Sequence, residues 1–151
     1  MRYVLDTNIF ISLVRNNDFS SHFNRIYRKR NDVSFTSVVV EGELKAFAMQ
    51  REWGNKRLQE VQFLLQETVI APIKTEEIIK AYAEIDAYSQ GKHPTLNLPT
   101  SARNMGKNDV WIAATASALE LTLITTDKDF DHLNGVFLNV VWIDIKDFSS
   151  L

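Results

Sequence analysis

Short runs of β-branched and other apolar residues alternate along this chain with longer stretches whose apolar positions recur every three or four residues. That pattern predicts parallel strands joined by crossover helices. Five runs read as strands: Arg2 to Leu5 (RYVL), Val33 to Thr36 (VSFT), Val69 to Ile73 (VIAPI), Thr122 to Thr125 (TLIT) and Val140 to Ile143 (VVWI). Each is short and mostly apolar, as expected of strands covered on both faces. Helices are predicted around Ile9 to Val14, Ser20 to Arg30, Val38 to Trp53, Asn55 to Gln66, Glu76 to Ser89 and Asn108 to Leu121. The order implies an α/β fold, a three-layer α/β/α sandwich around a parallel sheet of four to five short strands. The polar, proline-containing stretch from Gly91 to Gly106 is expected to be a loop.

Composition narrows the class. With 151 residues, 45% hydrophobic and 24% charged, and only 5 Gly and 3 Pro, the chain reads as one globular domain over residues 1–151. The absence of cysteine excludes a disulfide framework, a thiolate zinc site, an iron–sulfur cluster and a cysteine nucleophile. A metal must then be held by oxygen or imidazole. The apolar segment from Met1 to Val14 is too short to cross a bilayer and carries Asp6 at its centre, so a cytoplasmic protein without membrane association is expected.

In an open parallel sheet, ligands bind beyond the carboxyl ends of the strands. Asp6 directly follows the first strand, and Asp127 follows the fourth, with Asp129 and Asp131 close behind. Singly, such residues read as helix caps, and Thr126 with Asp129 has the spacing of a capping box. Glu43 resists that reading. Its helical neighbours at three and four residues are Val39, Val40, Ala46 and Phe47, and a carboxylate in an apolar stripe is costly unless paired or bound to a cation. Glu41 instead shares a face with Ser37 and Lys45 and reads as a solvated acid. Asp109 extends the stripe of Ile112, Ala113 and Ala116, with a first-turn acid stabilised by the helix dipole as the plainer alternative.

Converging carboxylates repel: at ~4 Å and an effective dielectric near 20, one pair is unfavourable by about 4 kcal/mol. Such a cluster needs a proton or a divalent cation, and hard oxygen donors select Mg²⁺ or Mn²⁺. His22, His93 and His132 are scattered and offer no acid–base pair.

Four strings, VLDTNIFI at Val4 to Ile11, EL at Glu43 and Leu44, NDVWIAATA at Asn108 to Ala116, and LITTDKDF at Leu123 to Phe130, resemble in order and distance those of PIN-domain ribonucleases, in particular the VapC-type toxins of toxin–antitoxin pairs. The resemblance covers nearly the whole chain. It implies an acidic quartet of Asp6, Glu43, Asp109 and Asp127, with Thr125 as the hydroxyl residue two before the last acid. Asp6, Asp109 and Asp127 would ligate Mg²⁺ or Mn²⁺, with Asn8 as an additional site residue and Asp129 as an alternative to Asp127. The implied activity is endoribonucleolytic. The chain departs from the family pattern in Lys45, Ala46 and Phe47, where small residues often follow the EL motif, and in a longer segment before Asp109.

RNA has to reach an acidic centre on a chain whose formal charge is −2, or +2 once the quartet is set aside. Lys92, Arg103 and Lys107 in the long loop are expected to border the site and contact RNA. Arg25, Arg28 and Lys29 in RIYRKR are expected to share a helical face, which reads first as a solvated surface and second as a phosphate contact. The apolar residues Phe47, Trp53, Leu58, Val61, Phe63, Leu64 and Leu65 exceed one narrow stripe. They read as core, as a homodimer contact, or, by the resemblance, as a groove for an antitoxin segment. Competing readings are another Mg²⁺-dependent phosphate hydrolase and a non-catalytic RNA-binding or interaction module of the same fold.

Overall fold

In the computed structural model, which describes residues 1–148, five parallel strands form one sheet: β1 (Arg2–Leu5), β2 (Val33–Ser37), β3 (Val69–Ala71), β4 (Thr122–Thr125) and β5 (Val140–Trp142), in the order β3-β2-β1-β4-β5. Six α-helices connect them: α1 (Thr7–Arg15), α2 (Asn17–Tyr27), α3 (Val38–Gln50), α4 (Asn55–Gln66), α5 (Glu76–Ser89) and α6 (Lys107–Ala118). The chain leaves β1 first towards β2 and β3, and later returns to its other side with β4. Right-handed crossovers then put α1 to α4 and the α5–α6 pair in different layers. The point where strand order reverses is the β1/β4 boundary, where an open sheet leaves a crevice at its carboxyl edge. Register fixes that edge: Leu5 pairs with Ile124, and the Asp6 amide donates to the Ile124 carbonyl at 3.2 Å.

The strands carry the core. Tyr3, Val4, Leu123 and Ile124 are buried, and Phe10, Phe19 and Phe23 of α1 and α2 pack against one face. Fully burying each large apolar side chain contributes about 1.5–3 kcal/mol. Helix α6 is buried almost all round, through Val110, Ile112, Ala113, Ala114, Thr115 and Ala116. Its alanines allow close approach to β1, β2, β4 and α5.

The predicted elements are all present, with boundaries moved for identifiable reasons. β3 stops at Ala71 because Pro72 has no N–H for the ladder. β2 runs to Ser37, whose hydroxyl then caps α3 by accepting from the Val39 amide at 3.1 Å. The Asn16 side chain caps α2 on the Phe19 amide, so this helix starts three residues before the expected Ser20. It ends at Tyr27, whose carbonyl accepts from the Tyr3 hydroxyl. That end corrects one expectation: Arg25 is in the helix, but Arg28 caps it and Lys29 lies beyond it, so the three do not share a helical face. α6 closes before Glu120, which has a positive φ of 55°, rather than at Leu121. Residues 91–106 hold no helix or strand, as expected.

Candidate metal centre

Asp6 leaves β1 into α1 as that helix's N-cap, and both its oxygens are used. Oδ1 accepts from the Thr7 amide at 2.7 Å, and Oδ2 accepts from the Thr125 hydroxyl at 2.7 Å. The same Thr125 hydroxyl accepts from the Asp127 amide at 3.0 Å. One fully buried threonine at the end of β4 therefore ties the acid after β1 to the acid after β4. Asp127 caps the short 3-10 turn Lys128–Leu133, its Oδ1 accepting from the Asp129 amide at 2.9 Å. The cap sits at Asp127 rather than at Thr126, correcting the capping-box reading.

Glu43 is held from two sides. Its Oε1 accepts from the Thr7 hydroxyl at 2.7 Å and its Oε2 from the Asn108 amide group at 3.3 Å. Asp6, Glu43, Asp109 and Asp127 line one pocket of about 330 Å³ together with Thr7 and Asn8. Carboxylate oxygens of Asp109, Asp127 and Asp129 all lie within 4.8 Å of one another. Asp127 and Asp129 thus both bring an oxygen near Asp109, though of the two Asp127 is the one that lines the pocket; Asp6 lines the same pocket with its oxygens bonded to the Thr7 amide and the Thr125 hydroxyl.

The field in this pocket is strongly negative. Burial pushes the Asp6 carboxyl up from 3.8 to about 6; the bonds from Thr125 and Thr7 oppose the rise, and the Glu43 and Asp127 charges add to it. Asp109 rises to about 7, first through burial, then through repulsion from Asp6, Asp127, Glu43 and Asp129. A set of oxygen donors that cannot all stay ionised unaided, with no imidazole among the described residues that line the pocket, fits a hard divalent cation such as Mg²⁺ or Mn²⁺. Asp109, Asp127 and Asp129 could hold such an ion, and Asp6 lines the same pocket as the first two.

Thr7 and Asn108 were not singled out by sequence reasoning. Thr7 looks like an ordinary first helical residue, and only its hydroxyl bond to Glu43, 36 positions away, gives it a role. Lys107 opens α6 two residues before Asp109, at the acidic edge. Arg103 lies by the end of α5, its amide donating to the Ser89 carbonyl at 2.6 Å, and Lys92 is exposed just past that end. None of the three lines the acidic pocket. The RIYRKR segment lies near the start of β2, by the Met1 and Asp32 pair at the amino edge of the sheet, at the far end of the strands from the acids. The histidines are elsewhere: Ser89 and His132 meet at 2.7 Å, His93 and Glu84 at 3.3 Å, and His22 packs against Phe148.

The surplus of apolar residues divides. Trp53, Val61 and Leu65 are buried, Phe47 and Leu64 pack partly against the core, and Leu58 and Phe63 are 43% and 56% exposed. Between α3 and α4 an apolar groove of about 730 Å³ is lined by Ala48, Met49, Trp53, Leu58, Val61 and Leu65, among others.

If Thr125 is the tie between the acids, its isosteric replacement Thr125→Val should lower stability by about 1.5–3 kcal/mol, the loss of a hydrogen bond to a charged group. Thermal unfolding should then show a midpoint lower by about 3–12 °C, with Thr125→Ser close to wild type. An unchanged midpoint for the valine variant would remove Thr125 from the site.

A family model described as PIN domain matches residues 3–136. Among solved structures, VapBC2 from Rickettsia felis, bound to a DNA fragment from its promoter, superposes with a TM-score of 0.73 at 20% identity over 95% of this chain and 100% of that one. VapBC-1 from nontypeable Haemophilus influenzae gives a TM-score of 0.69 at 26% identity, covering 94% and 98%. VapBC-5 from Mycobacterium tuberculosis, a member of the VapBC family of toxin–antitoxin systems, gives 0.63 at 23% identity, also covering 94% and 98%. No curated protein sequence matches the chain at a comparable level of significance.

Proposed function

Because this chain belongs to the PIN domain family, a family of nucleases, we propose that it is a metal-dependent endoribonuclease of the VapC type, the toxin of a toxin–antitoxin pair. The observation that carries this reading is the convergence of Asp6, Glu43, Asp109 and Asp127 on one pocket at the carboxyl edge of the sheet, with the Asp6 and Asp109 carboxyls both pushed upward. When bound, Mg²⁺ or Mn²⁺ supplies charge neutralisation at the phosphate and acidifies a water molecule. Asp109 and Asp127 would hold the cation, with Asp129 beside them and with Asp6, fixed by bonds from Thr125 and Thr7, lining the same pocket. Glu43, held by Thr7 and Asn108, orients the attacking water towards phosphorus, in line with the departing 3′ oxygen. Asn8 lies exposed at the pocket wall, placed to contact the phosphate.

Lys107, at the acidic edge, with Arg103 and Lys92 farther along the loop, meets the RNA backbone in this reading. Arg25, Arg28 and Lys29 lie too far along the strands to take part at the scissile bond. The apolar α3–α4 groove suits an amphipathic segment of a cognate antitoxin. The toxin–antitoxin complexes among the structural neighbours support that partner. A homodimer and a cytoplasmic location accompany the proposal.

Hydrolysis of this kind leaves 5′-phosphate and 3′-hydroxyl ends. Single-stranded RNA incubated with the protein in Mn²⁺ should be cut internally, with ends of that chemistry, and EDTA should stop the reaction. Cyclic 2′,3′-phosphate ends that persist in EDTA would overturn the assignment.

A further inference from the structure

The acidic pocket is not acidic on every side. One wall is made by Ile11 of α1 and by Ala46, Phe47 and Gln50 of α3, within two turns of Glu43 along the same helix. The Phe47 ring is half-buried and braced. Trp53 meets it at 5.4 Å and 78°, and the Arg51 guanidinium carbon lies 5.1 Å from its centroid. Gln50 is exposed, and among the described residues its side-chain amide has no hydrogen-bond partner.

We propose that this wall is a nucleobase subsite, in which an unpaired base next to the scissile phosphate packs against Phe47 and Ile11 while the Gln50 amide reads its edge. The inference rests on the endoribonuclease reading above. The volume of about 330 Å³ is more than a cation and one phosphate group need, and it falls within the range of pockets that hold small organic ligands. Ile11, Ala46 and Phe47 supply carbon surface to that wall, beside the acids. A phosphate gains nothing from carbon, whereas a base offers it an apolar π-face. A carboxamide carries a donor and an acceptor side by side, so it pairs with base edges that present the complementary couple, as adenine does. In a duplex that base face is covered by stacking, so the subsite selects single-stranded RNA. The brace from Trp53 and Arg51 supplies what such a platform needs, a ring whose orientation is set before the substrate arrives.

The test uses the full-length protein, a randomised single-stranded RNA pool with cut positions read by sequencing, and binding of a fluorescent oligonucleotide carrying the preferred site. Binding is measured by anisotropy in the Asp109→Asn background. Phe47→Leu keeps apolar packing but removes the ring. It should raise KM and the dissociation constant by about 5- to 100-fold, with kcat changed by less than about threefold. Phe47→Tyr should behave as wild type. Gln50→Ala should flatten the base preference at one position beside the cut. If Phe47→Leu and Gln50→Ala leave affinity and cut positions unchanged, the subsite is wrong. Should Phe47→Leu lower the unfolding midpoint strongly, the exposed Gln50 decides alone. Failure of the underlying reading is separable: wild type would then show no Mn²⁺-dependent cleavage at all, and the subsite falls with it.

Discussion

Asp109→Asn is expected to abolish Mn²⁺-dependent RNA cleavage and, in the absence of metal, to make the protein more stable rather than less. The two effects have one cause. Asp109 sits on the first turn of α6 beside Asp127 and Asp129, and repulsion from four neighbouring acids adds to burial in raising its carboxyl to about 7. Above that pH the ionised form opposes folding. An amide of the same shape removes the repulsion, and among the described residues the Asp109 side chain has no hydrogen bond that would be lost with it. Because the carboxyl is partly open to solvent, which screens it, the gain is about 1–2 kcal/mol, a midpoint higher by roughly 2–8 °C at pH 8. In the proposed metal-dependent reaction the same change would take a donor from the cation. Several kcal/mol of charge stabilisation at the phosphate then disappear, a loss of about a thousandfold or more in cleavage rate. Thermal unfolding in EDTA and a cleavage time course read the two effects separately. A variant that is both inactive and destabilised would make Asp109 a structural residue of the helix start. An active variant would remove it from the site.

The acids were legible in the sequence because their positions conflict with ordinary rules. Glu43 and Asp109 interrupt apolar stripes, and Asp6 and Asp127 fall just past strands, where an open sheet leaves its crevice. Strand and helix order was equally legible, because period-two and period-3.6 patterns are properties of local sequence. What remained hidden depends on distant partners. Thr125 could be placed only by its spacing from Asp127; that its one hydroxyl joins Asp6 to Asp127 follows from the parallel pairing of β1 with β4. Thr7 and Asn108 gain their roles from Glu43 on another helix. The RIYRKR cluster misled for a related reason. Its basic residues suggest a shared helical face, but the helix ends at Tyr27, where the Tyr3 hydroxyl takes the last carbonyl. Its distance from the acids is set by strand direction, which no local pattern records.

Metal and pH should act on stability in opposite senses, and this is the second large effect. Asp6 and Asp109 have folded-state values of about 6 and about 7, above the 3.8 of an unperturbed aspartate. The folded state therefore binds more protons than the unfolded state between about pH 4 and 7. Stability from these groups is fully present below about pH 4, falls as pH rises through 6 and 7, and is flat above. For the buried Asp6 the displacement amounts to about 3 kcal/mol. His132, held below its ordinary 6.5 by burial and Arg103, works the other way on acidification. Subtracting the Asp109→Asn profile from that of wild type isolates the contribution of Asp109 and its coupling to Asp6. A divalent cation competes with those same protons, so its stabilising effect should grow over the same range. At about 100 times its dissociation constant, Mn²⁺ should add ~2.7 kcal/mol at pH 8, a midpoint higher by roughly 5–11 °C, and little at pH 5. Unfolding scans with EDTA or Mn²⁺ across that range would show the two curves diverging as pH rises. Parallel curves would mean that the acids are not the groups that bind the metal, and a metal-free difference between wild type and Asp109→Asn that rises from pH 5 to 8 would mean that the Asp109 carboxyl is not pushed upward.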